Sequence, residues 1–303
     1  MPTLTTAEER ERFIRYTRID RWPLLERFPV PKDLRIEMLA HMTASAPEYV
    51  RSTLAAMRSA VQADAAQLMA DSAFRAAIDA IPLVDGDRLV AIGDSVTADR
   101  RGWFELLKEA VALAAPSGVD LVNLGLSGDT TADVLERLDV LAGARPTWVL
   151  VMLGTNDTRF HGPKHAYRMV SLAETERNIS ALMEFVTGDL AADLTLLTPP
   201  PGDQARIASF YRDVPVGWVA AELDAVAALI RALDPNCVDV NQSMRGAAFA
   251  GLLDVDGVHP TVEGQRHIAR VVVERLSVSR RLSLVGQGGE SAERRRVRTE
   301  TGK

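Results

Sequence analysis

The feature that most constrains the fold is an alternation, beginning at Asp87, of short apolar runs with stretches of helical periodicity. The runs are Arg88–Ile92, Leu121–Leu124, Trp148–Leu153, Leu194–Thr198 and Val238–Val240. The helical stretches are Trp103–Ala115, Thr131–Leu141, Leu172–Thr187, Trp218–Leu233 and Val262–Leu276. Strands that are apolar throughout, each followed by a helix, are typical of a parallel sheet covered on both faces. The sequence therefore predicts a three-layer α/β domain over residues 85–278.

Residues 1–84 carry a different, purely helical pattern. Apolar side chains recur there at spacings of three, four and seven residues, which places them on one helix face: Val50, Leu54, Met57, Val61 and Leu68. Ser45 and Glu48 have the spacing of a capping box, so we expect one long helix from about Ala46 to Ala80. Its apolar face could be buried against the chain's own body, against a second copy in a homodimer, or over the active site. We favour the body or a dimer over a lid, because long capped helices are rigid.

The two ends of the chain are polar. Thr6–Tyr16 and Lys32–Met42 have the pattern of shorter helices, and residues 279–303 have the composition of a basic, disordered tail.

The net charge of −6 argues against a dedicated nucleic-acid binder. We expect no membrane span, because no apolar run approaches the roughly 20 residues that a span needs. Without a secretory signal in Met1 to Arg15, and with Cys237 as the single cysteine, expected buried and inert, the cytoplasm is the expected location.

The loops that follow the predicted strands are rich in glycine and polar residues. Ligands of open parallel sheets bind beyond the carboxyl ends of the strands, so these loops are where a site is expected. They are Gly93-Asp94-Ser95-Val96-Thr97, the segment 123–130, and Gly154-Thr155-Asn156-Asp157, with Asp256-Gly257-Val258-His259-Pro260 before the last helix.

These loops contain the components of an acyl-transfer site. A serine hydroxyl needs a base, and a histidine oriented by a carboxylate is the commonest solution. Ser95 and His259 fit that pair, and Asp256, three residues before His259, can fold back onto its imidazole, with Asp254 as a possible substitute. A tetrahedral intermediate also needs donors for its oxyanion. The candidates are the Ser95 N–H, the N–H of Gly128 and the side-chain amide of Asn156.

The four blocks, in this order, resemble the signature blocks of the SGNH hydrolases, also called the GDSL esterase and lipase family. The resemblance covers about residues 87–276 and rests on Gly93-Asp94-Ser95-Val96, Gly128, Gly154–Asp157 and Asp256–Pro260. It implies a flavodoxin-like sheet of about five strands, Ser95 as nucleophile, Gly128 and Asn156 in the oxyanion hole, His259 as base and Asp256 as its partner. Val96 stands where the family usually has Leu, a conservative change, and residues 1–84 have no counterpart in the minimal family domain.

Other interpretations of these residues are weaker. A phosphate-binding loop is disfavoured, because neither glycine-rich nucleotide motif follows the first strand and Asp94 stands where a phosphate would lie. The Gly-x-Ser-x-Gly elbow of the α/β-hydrolases is missing. His161 and His165 have a spacing seen in metal sites, but they lie in a loop without a suitably spaced carboxylate, and we expect no metal. Asp157 is expected to be structural, and His41 and His267 to be ordinary helix residues.

The expected function is that of a cytoplasmic serine esterase that needs no metal or cofactor. It would hydrolyse a carboxylic ester of a small molecule, lipid or sugar through an acyl-enzyme on Ser95. The alternative is a catalytically silent SGNH-like binding protein with a helical interaction module. Two aromatic-bearing loops, 158–170 and 199–217, are candidate pocket walls, and their candidate substrate-binding residues are Arg159, Phe160, Phe210 and Tyr211. That these aromatic residues only pack the loops onto the body is the alternative.

Overall fold

A computed structural model describes residue 4 and residues 6–114, 118–162, 167–246 and 249–279. Of the predicted tail 279–303 only Ser279 lies within these ranges, and His165 lies outside them.

Four parallel strands form the main sheet. Numbered along the chain together with the short strands described below, they are β1 (Arg88–Gly93), β2 (Asp120–Asn123), β3 (Trp148–Met152) and β6 (Asp193–Leu197). Each of these strands begins within one residue of the first residue of a predicted apolar run. Their order, β2-β1-β3-β6, is that of the first four strands of a flavodoxin-like sheet. The predicted α/β fold with its parallel sheet is therefore confirmed.

The fifth predicted strand, Val238–Val240, is not formed as a strand. Val238 makes a single parallel bridge to Leu197 at the edge of β6. The chain then leaves the sheet, because Asp239 caps the short helix α13 (Val240–Ser243) by accepting a hydrogen bond from the Gln242 N–H.

A second, small sheet was not expected from the sequence. It is antiparallel, with the order β5-β4-β7, and consists of β4 (Phe160–His161), β5 (Tyr167–Arg168) and β7 (Val216–Gly217). Strands of two residues are too short to show a periodic pattern. This sheet joins the two loops that the sequence predicted as pocket walls.

Helices cover both faces of the main sheet. Besides α13, those of the α/β part are α6 (Ser95–Ala98), α7 (Trp103–Ala114), α8 (Thr131–Leu135), α9 (Leu138–Gly143), α10 (Leu172–Glu184), α11 (Gln204–Phe210), α12 (Ala220–Leu233), α14 (Phe249–Leu252) and α15 (Val262–Ser277). A π-helical turn, Phe185–Asp189, extends α10. The predicted helix Thr131–Leu141 is two helices, because Arg137 between them turns its buried guanidinium to Asp129 and to the Leu124 carbonyl.

Alternate residues of the central strands point to two different apolar clusters. Leu89 and Ala91 of β1 pack with side chains of α7 and α15. Val90 and Ile92 pack on the opposite face with side chains of α10 and α12. This alternation produces the three layers.

The N-terminal helices are α1 (Ala7–Tyr16), α2 (Pro23–Arg27), α3 (Lys32–Met42), α4 (Pro47–Ala70) and α5 (Ser72–Asp79), with a 3₁₀ turn at Ile19–Arg21. The predicted single helix Ala46–Ala80 is wrong. The observed helix α4 ends at Ala70. Asp71 has an extended backbone, and its carboxylate caps the next helix, α5, by accepting from the Ala73 N–H. The predicted capping box is also wrong, because Ala46 is the N-cap without a side-chain bond and Ser45 Oγ lies 2.8 Å from Thr43 Oγ1 instead.

The apolar face of α4 is buried against the chain itself. Val61 and Leu68, with Phe74 and Ile78 of α5, belong to the same cluster as side chains of α7 and α15. The first half of α4 closes a separate cluster with α1 and α3, made of Ile14, Ile19, Ile36, Leu39, Ala40, Val50 and Met57. A homodimer remains a prediction. None of the helices in the described ranges is long and apolar enough to cross a membrane.

Candidate active site

Ser95 lies at the turn from β1 into α6. Gly93 ends the strand, and a Cβ there would lie 2.6 Å from the Met152 carbonyl oxygen, so only glycine fits. Asp94 caps α6 by accepting from the Val96 N–H at 3.0 Å. Burial raises the pKa of this enclosed carboxyl to about 6. Ser95 is the first residue of the helix, and its side chain faces the site.

His259 lies between Ser95 and Asp256. The Ser95 Oγ is 2.9 Å from His259 Nε2, and His259 Nδ1 is 2.7 Å from Asp256 Oδ2. Asp256 Oδ1 accepts the N–H groups of Val258 and His259, both at 2.9 Å. Both carboxylate oxygens thus have a fixed direction, and the arrangement can hold the imidazole with Nε2 towards the serine.

Two local features hold this loop. Gly257 has a φ of +72°, in the left-handed region that favours glycine. Thr261 caps α15 by accepting from the Gly264 N–H, so the helix begins just after His259. Asp254, the possible substitute, is not on the imidazole: its N–H donates to the His259 carbonyl, and its carboxylate accepts from the Val255 N–H.

Asp256 is held as a carboxylate. Its side chain is fully buried, and burial alone would raise its pKa. The hydrogen bond and charge of His259, together with the backbone N–H groups of His259 and Val258, outweigh burial and hold the pKa of Asp256 well below its usual range.

The candidate oxyanion donors follow the two strands that flank β1. Gly128 lies beyond β2 with a φ of +96°, and no atom lies within 4 Å of where a Cβ would be, so the backbone faces open space. Asn156 lies beyond β3 and donates one amide hydrogen to the Asp129 carbonyl at 3.0 Å. Asp157 accepts from the Thr131 N–H and from Thr175 Oγ1, both at 3.0 Å, which fits its expected structural role.

The four candidate substrate-binding residues fall into two groups. Arg159 reaches Asn156 Oδ1 at 3.4 Å and donates to His161 Nε2 at 3.0 Å, and Phe160 follows it in β4. Phe210 and Tyr211 stack on each other at the end of α11, with ring centroids 4.9 Å apart. The guanidinium of Arg12, which bonds Asp256, lies 5.7 Å from the centroid of the Phe210 ring, so this second group lies beside the loop that carries Asp256 and His259. Burial and the charge of Asp256 raise the pKa of Tyr211.

Sequence reasoning missed a third group, from helix α1. The Tyr16 ring lies 5.0 Å from the His259 ring, and Arg12 donates from Nη2 to Asp256 Oδ2. Arg15 binds Asp99 through both oxygens, with 2.7 Å between Nε and Oδ1. The spacing of residues 12, 15 and 16 places the three side chains on one helix face, which is the signal that could have indicated a common target.

The remaining candidates have ordinary roles. In the described ranges, no three His, Cys, Asp or Glu side chains come together as a metal site. His267 contacts Ser243 Oγ at 3.2 Å within the helical layer. Cys237 is half-buried rather than buried, since it lies in the turn just before the predicted fifth strand. Burial and the neighbouring Asp234 and Asp239 raise the pKa of its thiol to about 11.

Fold and site together define a class: three-layer α/β proteins in which a serine at the carboxyl end of a parallel strand meets a histidine and an aspartate from the loop before the last helix. The sequence profile of the GDSL-like lipase/acylhydrolase family matches residues 91–267. Because this match spans more than half of the chain, the chain belongs to that family, as the resemblance indicated, and is a hydrolase.

Solved structures agree on the fold. The chain is similar to LAE5, an alpha/beta hydrolase from the metagenome of Lake Arreo, Spain, with 24% identity, a TM-score of 0.51, and coverage of 65% of this chain and 97% of that one. It is also similar to a lipase/acylhydrolase from Enterococcus faecalis, with 22% identity, a TM-score of 0.52 and coverage of 63% and 95%. A catalytic mutant of Axe2, an acetylxylan esterase from Geobacillus stearothermophilus, has 24% identity, a TM-score of 0.50 and coverage of 64% and 95%. No curated protein sequence matches the chain.

Proposed function

We propose that the chain hydrolyses a carboxylic ester through an acyl-enzyme on Ser95. The observation that carries this proposal is the continuous contact from Ser95 Oγ to His259 Nε2 at 2.9 Å and from His259 Nδ1 to Asp256 at 2.7 Å. Membership of the GDSL-like family supports it. The same chemistry serves lipid, thioester and sugar-acetyl substrates, so the site alone does not select among them. The expected cytoplasmic location stays a prediction.

The reaction has two halves. Ser95 Oγ attacks the ester carbonyl while His259 Nε2 takes its proton, and Asp256 stabilises the imidazolium that forms. The alcohol leaves with the proton from His259. Water then attacks the acyl-enzyme with His259 as base, which releases the acid and restores Ser95. The charge on the carbonyl oxygen is met by the N–H groups of Ser95 and Gly128 and by the second amide hydrogen of Asn156.

The test is Ser95→Ala assayed with para-nitrophenyl acetate and with esters of longer acyl chains. The variant should lose turnover, because the oxyanion donors alone provide only a small residual rate. Ser180→Ala is the matched control: Ser180 lies exposed on α10, and its hydroxyl donates to the Glu176 carbonyl of the same helix. Turnover by Ser95→Ala would exclude Ser95 as nucleophile. A wild-type protein that neither turns over these esters nor reacts with a fluorophosphonate would favour a binding protein.

Asn156→Ala tests the oxyanion role. We expect kcat to fall by about a hundredfold or more with little change in KM, because the lost donor acts on charge that develops only in the transition state. A change in KM alone would make Asn156 a substrate-binding residue instead.

The aromatic side chains near the site are proposed to set acyl-chain preference. Phe210 is 47% exposed, so part of its ring is free to contact a ligand. Replacing Phe160, Phe210 and Tyr211 in turn by Ala should shift the chain length that gives the highest kcat/KM. An unchanged chain-length series in all three variants would mean that these rings only pack the loops.

A further inference from the structure

Helix α1 brings a cation to the carboxylate of the histidine loop. Arg12 donates from Nη2 to Asp256 Oδ2, the same oxygen that lies 2.7 Å from His259 Nδ1. Its Nη1 lies 3.6 Å from Asp254 Oδ2. One guanidinium therefore spans both carboxylates of this loop.

We propose that Arg12 is a positioning residue for the Asp256–His259 pair, so that the N-terminal helices complete the catalytic site of the α/β domain. The inference rests on the proposed serine-esterase function. Arg12 lies outside residues 91–267, the part of the chain that the family profile matches.

The burial and the charge surroundings of Asp256 explain why a positive charge beside it stabilises the site. Its side chain is fully buried, and Asp254 places a second negative charge in the same loop. Oδ1 is held by two backbone N–H groups, whereas Oδ2 has the imidazole and Arg12. A buried carboxylate left with fewer partners is costly, and without Arg12 its Oδ2 would keep the imidazole but lose the guanidinium.

Arg12 is itself held in place. Its guanidinium lies over the Phe210 ring, 5.7 Å from the centroid, and one turn further along α1 the paired Arg15 anchors the helix to the buried Asp99. The Arg12 side chain is 34% exposed and keeps part of its hydration. It therefore balances the buried carboxylate at a smaller desolvation cost than a buried cation would.

The experiment compares Arg12→Ala, Arg12→Lys and the matched control Arg27→Ala. Arg27 lies in α2 of the same N-terminal part and pairs with the exposed Asp139 at 2.7 Å. We expect Arg12→Ala to lower kcat about tenfold to a hundredfold with little change in KM. Arg12→Lys should restore only part of kcat, because it keeps the charge but one ammonium cannot span both carboxylates. Arg27→Ala should change neither.

Two further measurements separate positioning from general stabilisation. In an Asp256→Asn background, Arg12→Ala should lower kcat little further, because the carboxylate through which Arg12 acts is already altered. In wild-type protein the His259 Nδ1 proton should give a low-field ¹H NMR signal, and Arg12→Ala should shift or broaden it. An Arg12→Ala variant with wild-type kcat, an undiminished loss of kcat in the Asp256→Asn background, or an unchanged NMR signal would overturn the proposal.

Failure of the proposed function is recognised separately. If Ser95→Ala keeps the activity, or wild-type protein has none, the esterase proposal fails, and the NMR signal still decides whether Arg12 positions the pair. If Ser95→Ala is inactive and Arg12→Ala is normal, only the Arg12 inference fails.

Discussion

The N-terminal helices meet the α/β body in two places, and the physical chemistry of the two contacts differs. The second half of α4 and all of α5 meet α7 and α15 through apolar side chains, among them Leu68 and Phe74. The segment from α1 to α2 meets the α/β part through ion pairs: Arg12–Asp256 in the loop before α15, Arg15–Asp99 at the end of α6, Arg18–Glu105 in α7 and Glu26–Arg137 between α8 and α9.

The apolar contact is non-directional, and its free energy scales with the area removed from water. The charged contact is directional, because Asp256, Asp99 and Arg137 are buried and each needs its own partner in place. One contact therefore supplies stability, and the other fixes where α1 lies relative to Ser95 and His259. Mutations should separate these two effects.

The largest effect is expected from removing both contacts. Deleting residues 1–80 exposes the apolar surface of α7 and α15 that α4 and α5 cover, and it leaves Asp256 and Asp99 without their arginines. We expect a protein that aggregates or unfolds at a much lower temperature, not a faster enzyme. Size-exclusion chromatography and thermal unfolding measure this. A soluble, monomeric variant with undiminished Tm and a broadened substrate range would show that the segment is a removable cover.

Phe74→Ala weakens the apolar contact and removes the ring over which the Arg270 guanidinium lies, 5.6 Å from the centroid, while the ion pairs of α1 and α2 stay in place. Phe74 is 4% exposed, so the substitution removes a buried ring and leaves a cavity between α5 and the body. The free energy of unfolding should fall by about 3 kcal/mol or more, while kcat of the folded fraction stays at the wild-type value. Denaturant titration with an esterase assay at low denaturant tests both. Phe28→Ala, at a ring that is 70% exposed, is the control and should change neither. A loss of kcat without a loss of stability would mean that the two contacts are not separable.

Sequence patterns predicted the helices and strands of the α/β domain better than the N-terminal helices. The central strands β1 and β3 are apolar runs buried on both sides, so composition alone marks them. The site motifs could be assigned because glycine, serine and histidine at strand ends have few structural reasons to occur together. The prediction of a strand at Val238–Val240 was wrong, because a run of three apolar-flanked residues is too short to indicate a strand reliably. Asp239 instead caps the helix that begins at Val240.

The N-terminal part failed for a different reason. The apolar stripe of α4 continues through Asp71 into α5, so periodicity cannot show that the helix breaks there. Arg12 and Tyr16 belong to a charged, amphipathic helix whose pattern is that of any solvated face. Their roles depend on tertiary contacts with residues more than two hundred positions away, which no local pattern encodes.

The smallest effect is expected at Asp71, where a charge pair lies at the edge of the apolar contact. Asp71 bonds Arg270 of α15 at 2.7 Å, and this bond and the Ala73 N–H lower the pKa of its carboxyl. Because the pKa is lower in the folded state, the pair stabilises the fold above the unfolded value of 3.8 and this contribution is lost as the pH falls further. Asp71→Asn keeps the helix cap and removes the charge. It should lower Tm slightly at pH 7, less in high salt, and the difference should narrow towards pH 3. A difference in Tm that is the same at both pH values and in high salt would place the contribution of Asp71 in its cap and not in the ion pair.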